Sequence, residues 1–179
     1  MTCSSCKRPA RIQVTYNNTR ACASCFEQSL FKRVKRVIRK YRMIVPNTTY
    51  YLVDNGSTPA RFLVRFFKTY FPKPVFDIRV VSHTKKVPRI ESCTLTNASN
   101  AFLHAMFTKS KYNLFLASRG IARPLISTTN EELAWLAKAH KEAPRFFLTH
   151  VKEDAFIKEL ETRRNMVRFS FLRFIDALE

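Results

Sequence analysis

Tyr50-Tyr51-Leu52-Val53-Asp54-Asn55-Gly56-Ser57-Thr58-Pro59, continued by Phe62, Leu63, Phe66 and Phe67, is the stretch that decides the fold. Four aromatic and aliphatic residues in a row read as a buried strand, and Asp54 to Ser57 as a tight loop. Thr58-Pro59 predicts an N-cap with proline at the first helical position, ahead of an apolar face at three- and four-residue steps. Strand, turn and helix in this order open a βαβ unit. Phe76 to Val81 is the next strand expected, followed by a polar, basic connector from Ser82 to about Glu91. The alternation resumes with a short helix over Asn100 to Thr108, a strand over Tyr112 to Leu116 and a break at Gly120. Arg123 to Ile126 reads as extended. Thr128 and Thr129, with Glu131 and Glu132 three residues on, predict a capping box for a helix reaching about Glu142. Phe146 to Leu148 reads as a last strand, and Glu153 to Leu178 as helix, broken near Asn165. The fold class expected is α/β, with a mostly parallel sheet and helices on both faces.

Upstream, Cys3-Ser4-Ser5-Cys6 and Cys22-Ala23-Ser24-Cys25 form two Cys-x2-Cys knuckles. Each knuckle can aim two thiolates at one ion, and Arg11 to Tyr16, with an Asn17-Asn18 turn, supplies the ribbon that folds them together. Cys3, Cys6, Cys22 and Cys25 are therefore candidate ligands of a structural zinc, preferred over disulfides or unligated thiols. Four thiolates close the shell and leave no place for a reactive water. From Phe26 the period is helical, and Pro46-Asn47 is expected to end the helix. Phe26, Leu30, Val34, Val37, Ile38 and Tyr41 make its packing face. Lys32, Arg33, Lys35, Arg36, Arg39, Lys40 and Arg42 make the opposite face, a candidate nucleic-acid contact whose alternative is an ordinary solvated surface. The division expected is a zinc ribbon over 1–28, a basic connecting helix over 29–46 and an α/β domain over 47–179.

The formal net charge is +19, and residues 1–90 hold 19 Lys and Arg against 3 Asp and Glu. So lopsided a charge points to a polyanion on one side of the molecule, RNA or DNA before an anionic membrane. No apolar run is long enough to span a bilayer, so no membrane partner is expected, and the metal-type cysteine spacing favours a reducing compartment. Gly56 and Gly120 are the only glycines. A backbone cradle for phosphates needs several clustered together, and none is present. His83, His104, His140 and His150 show no spacing that suggests a catalytic triad, and Cys93 reads as an incidental thiol.

The double knuckle ending in Cys25-Phe26, the basic helix, the hydrophobic strand and the loop-to-helix turn resemble the tRNA 2-thiolation proteins of the PP-loop ATP-pyrophosphatase superfamily. Active members of that superfamily carry Ser-Gly-Gly-X-Asp-Ser after the first strand. This sequence has Asp54-Asn55-Gly56-Ser57-Thr58-Pro59 there, with one glycine kept and Thr58 and Pro59 where aspartate and serine belong. That departure is similar to the cytoplasmic tRNA 2-thiolation protein 2 family, the partner subunits with degenerate loops. Tyr112 to Ala117, Arg123 to Ile126 with Glu131 to Trp135, and Phe156 to Glu161 are similar to later stretches of the family, whereas residues 82–97 match nothing in it.

The resemblance implies a PP-loop fold, of the adenine nucleotide alpha hydrolase kind, in a short version. It implies a cytoplasmic, non-catalytic subunit that binds tRNA and pairs with a catalytic thiolase. Together they would place sulfur from a thiocarboxylated ubiquitin-like carrier on the wobble uridine, U34. Asp54, Asn55, Gly56, Ser57 and Thr58 would then be a degenerate nucleotide loop without provision for ATP, and Cys93 alone could not hold an iron–sulfur cluster. Two rival classes are a stand-alone zinc-ribbon module acting on RNA or the ribosome, and a divergent active sulfurtransferase.

Overall fold

The structure is a computed structural model that describes residues 1–16, 18–71, 77–84, 86–110, 120–148, 150–164 and 166–178. The chain begins with an antiparallel ribbon, β1 (Ile12–Val14) and β2 (Thr19–Ala21), in which Ile12 pairs with Ala21. Ile12 and Val14 point into the core and Gln13 points to water, the period-two alternation of a half-buried strand. The ribbon runs directly into α1 (Ala23–Lys40), because the Cys22 sulfur accepts the Cys25 amide at 3.5 Å as the helix N-cap. The second knuckle is thus the first turn of the basic helix, and a boundary at residue 28 falls inside α1.

The apolar face of α1 holds Phe26, Leu30, Val34, Val37 and Ile38 as expected, with Phe31 added. The helix ends at Lys40, six residues before the proline expected to stop it. There Arg42 takes a left-handed φ of 48° and Met43 turns back, its amide bonding the Ile38 carbonyl at 3.0 Å. Burying Met43 against the core outweighs the penalty for a non-glycine residue at positive φ.

β3 (Thr49–Val53), α2 (Thr58–Tyr70) and β4 (Asp77–Val81) form the expected parallel βαβ unit, with Tyr50 opposite Ile78 and Leu52 opposite Val80. Ser57, one residue before the position expected, caps α2 by accepting the Ala60 amide at 3.3 Å. Phe62, Leu63, Phe66 and Phe67 are all buried. Phe31 of α1 lies 5.1 Å from Phe62 and 5.4 Å from Phe66 between ring centroids, so one aromatic cluster joins the two helices.

Within the basic connector lies a strand that the sequence pattern did not reveal. β5 (Arg89–Ile90) pairs with β3 on the side opposite β4. Next come α3 (Leu95–Thr108) and β6 (Ile121–Ala122), which extends the sheet, giving among the described residues four parallel strands in the order β4-β3-β5-β6. Two-residue strands carry no periodicity, and their pairing with β3 is what makes them strands. Helix α3 starts five residues before the expected Asn100, because Thr94 caps it and Leu95 and Ala98 are fully buried. Arg123 to Ile126 is a turn and not an extended piece, with the Thr128 amide bonding the Leu125 carbonyl at 2.9 Å. The strand expected at Tyr112 to Leu116 lies outside the described residues.

α4 (Asn130–Ala139) starts with the full Thr129–Glu132 capping box. Phe146 to Leu148 forms no strand; Phe147 and Leu148 are exposed, and the stretch pairs with none of the described strands. α5 (Val151–Arg163) and α6 (Val167–Leu178) end the chain with the break where expected. Both pack on α3, held by the buried Arg168, which donates to Asp154 at 2.8 Å and to Asn100 at 3.2 Å. Among the described residues no helix is long and apolar enough to cross a membrane.

Candidate metal centre, basic face and loop

The ribbon brings the four knuckle cysteines together, every sulfur within 4.8 Å of the others and Cys6 3.6 Å from Cys22. Sulfurs bound at about 2.3 Å to one tetrahedral ion lie about 3.8 Å apart, so the spacing fits a single ion held by four thiolates. The protein already prepares the charge. Backbone amides, that of Cys22 first, bring the Cys3 thiol down to about 6. Cys6 is lowered by the Arg8 amide and by the Arg8 side chain. Cys25 is pushed up to about 12, chiefly by its hydrogen bond with Cys6. A cation that replaces the shared protons relieves this crowding of sulfurs, which is how thiolate sites come to bind metal. Arg8 would offset the residual negative charge of the loaded site, a role without a signal in the knuckle spacing.

Lys32, Arg36, Arg39 and Lys40 of α1, and Arg42 in the turn beyond it, are exposed. Lys32, Arg36 and Arg39 follow the four- and three-residue steps of one stripe, about 10 Å from end to end. Lys35 is half-buried with its ammonium 5.1 Å from the Tyr70 ring, and Lys40 lies over the Tyr41 ring. Arg33 has turned inward. Its Nη1 donates to both carboxylate oxygens of Glu132, at 2.8 and 2.9 Å, and to the Ser127 carbonyl at 3.0 Å. Tyr16 of the ribbon donates its hydroxyl to the same carboxylate at 2.5 Å. Burial first, and the Glu132 charge second, push Tyr16 up to about 12. Glu132, with no solvent exposure, thus ties the ribbon, the basic helix and α4 at one point. The sequence reading gave Glu132 only a capping role, because partners 99 and 116 residues away leave no local trace.

The loop after β3 is closed upon itself. The Asp54 carboxylate accepts the Gly56 amide at 2.9 Å, and the Asn55 side chain accepts the Ser57 amide at 3.1 Å. The Thr58 amide bonds the Arg145 carbonyl, and the Arg145 amide bonds the Thr58 hydroxyl, each at 2.8 Å. Ser57 and Thr58 are buried, and Gly56 sits at a φ of 74° that only glycine adopts without strain. Each of these amides at the start of α2 already has a partner within the protein, which leaves an anion little to bind.

Beside the loop, a cleft of about 470 Å³ opens over the C-terminal ends of β3 and β5, where the strand order reverses. Open α/β sheets place ligands at such a reversal. Here Glu91 receives Arg89 at 2.8 Å and Arg123 at 3.0 Å. Cys93 lines the wall with its thiol pushed up to about 11 by burial, so it is protonated near neutral pH. The histidines hold one surprise: His104 and His150 stack with ring centroids 4.1 Å apart beside Glu153.

No family model and no curated protein matches this sequence. Among solved structures the chain is similar to the U34-tRNA thiolase NcsA from Methanococcus maripaludis, a structure with its 4Fe-4S cluster. The TM-score is 0.77 at 10% identity, over 99% of this chain and 87% of that one. The likeness extends over nearly the whole chain, so the α/β fold here is shared with that thiolase.

Proposed function

We propose that this protein takes part in 2-thiolation of the tRNA wobble uridine, U34, as a tRNA-binding subunit that leaves the chemistry to a catalytic PP-loop partner. One observation carries the reading. In a chain that folds throughout like a U34-tRNA thiolase, the loop where the superfamily grips nucleotide has its amides bonded to Asp54, Asn55 and Arg145. A chain built this way contributes surface and affinity. The partner would be a subunit with an intact Ser-Gly-Gly-X-Asp-Ser loop, supplied with sulfur by a thiocarboxylated ubiquitin-like carrier.

The tRNA contacts we assign are Lys32, Lys35, Arg36, Arg39, Lys40 and Arg42, which would hold backbone phosphates and set orientation without reading bases. Arg33, tied to Glu132, would position the helix that carries them. At the knuckles we assign zinc. Cys3, Cys6, Cys22 and Cys25 converge as one ion requires, whereas the cubane named for the thiolase NcsA would hold its ligands farther apart. Zinc there would fix the ribbon and take no part in a reaction.

The test is the 2-thiouridine content of tRNA in cells depleted of this protein, read with its co-purification partners. Loss of thiolation, together with capture of a Ser-Gly-Gly-X-Asp-Ser protein, is expected. Normal thiolation, or co-sedimentation with ribosomal subunits alone, would overturn the reading.

A further inference from the structure

The cluster His104, His150 and Glu153 has no part in the reading above. His104 projects from the last turns of α3, and His150 and Glu153 lie at the start of α5, so two separate elements supply the three side chains. His104 Nδ1 is 2.8 Å from Glu153 Oε1, and the two imidazole rings are nearly parallel, at 23°. One ligand atom from each residue falls within 4.8 Å of the other two.

His150 is the informative member. Its backbone sits at φ 58°, ψ 63°, a left-handed conformation that histidine adopts more readily than most non-glycine residues, and its ring makes no cap bond to α5. Among the described residues no protein hydrogen bond reaches its ring nitrogens. This backbone conformation brings a second imidazole against the first. A hydrogen-bonded His104–Glu153 pair would not need it.

We propose that His104, His150 and Glu153 form a second metal site, distinct from the four cysteines, for a borderline divalent transition ion of which zinc is the biological match. Two imidazoles and a carboxylate are a donor set for such an ion. Ligands at about 2.0–2.1 Å from a tetrahedral ion lie about 3.4 Å apart; the three donors already lie within 4.8 Å of one another, and binding would turn the two imidazoles out of their stack so that both ring planes meet at the ion. His104 keeps 42% exposure and Glu153 13%, so water completes the shell from the open side. The bound ion clips α5, and the segment that leads into it from α4, onto α3.

The experiment uses tag-free, full-length protein with its cysteine site already loaded with one equivalent of zinc. Zinc titration by calorimetry is expected to show a second equivalent bound. Cobalt added in place of that second zinc is expected to give weak visible d–d bands without the intense near-ultraviolet absorption of cobalt–thiolate bonds. His150→Ala and Glu153→Gln should each weaken the second equivalent at least tenfold while the first remains. His104→Ala is the third variant, and the helical circular dichroism of each is the check on folding. Binding of one equivalent only, or a second equivalent whose affinity all three folded variants leave within threefold, would overturn the proposal. So would thiolate bands in the second cobalt spectrum. None of these readouts depends on tRNA.

Discussion

Glu132→Ala is expected to destabilise the protein by about 4 kcal/mol. The carboxylate has no exposure and accepts from Tyr16, from Arg33 through both oxygens, and from the Thr129 amide at 3.0 Å. Removing one member of a buried ion pair costs about 3–5 kcal/mol, because the other charge is left uncompensated. Arg33 keeps 26% exposure and its bond to the Ser127 carbonyl, so it can partly rehydrate, which sets this contribution near the lower end at about 3 kcal/mol. Loss of the return arm of the capping box adds about 1 kcal/mol. The sum is a large fraction of the roughly 5–15 kcal/mol that a domain of this kind has in total. The assay is urea unfolding followed by circular dichroism and by fluorescence of the single tryptophan, Trp135, whose ring lies 6.3 Å from Phe26 across the α1–α4 contact. Stability is read from the midpoint at constant m. Arg33→Met and the double variant Glu132→Gln with Arg33→Met complete a cycle with Glu132→Gln, and the coupling is expected to reach about 2 kcal/mol. A loss below about 1 kcal/mol for Glu132→Ala, or a coupling below about 0.5 kcal/mol, would refute the idea that this buried pair locks the ribbon and the basic helix to the body.

Three further outcomes are expected. Arg36→Glu with Arg39→Glu should weaken tRNA binding and reduce the slope of log affinity against log salt by about 1–2, whereas Arg33→Met should leave that slope unchanged; equal slopes for all three proteins would remove α1 as the phosphate contact. Elemental analysis of unchelated protein should find zinc at the cysteine site. Cys22→Ser should lose it along with ribbon structure, and retention should weaken as pH falls because protons compete for the thiolates. Tyr16 titrates near its ordinary 10 when unfolded and near 12 when folded. The neutral hydroxyl is the favoured folded form, so its stabilisation is complete below pH 10 and declines as pH rises toward 12. Tyr16→Phe should flatten that decline, as measured by urea midpoints across the window.

The two knuckles, the strand–turn–helix at Tyr50 to Phe67 and the Thr129–Glu132 box were legible because each is a local pattern of fixed spacing. Nearest-neighbour chemistry dictates them: thiolates three residues apart, apolar residues at helical period, a hydroxyl three residues before a carboxylate. β5 and β6 were not legible, since two residues carry no period and only the exposed edge of β3, and then of β5, makes them strands. Phe146 to Leu148 has the composition of a strand but pairs with none of the described strands. The basic face was legible as a face, yet the single inward turn of Arg33 depended on a carboxylate 99 residues away.

The sequence by itself determined a four-cysteine ribbon, a basic helix that continues from it and an α/β body with a loop short of glycine. Tertiary structure alone decided that Arg145 would close that loop, that Glu132 would bind Tyr16 and Arg33 together, and that His104 would meet His150 and Glu153. The reason is physical. Local spacing fixes backbone preference and which face is apolar, but the partner of a buried charge or an open amide is whichever group the packed core carries to it.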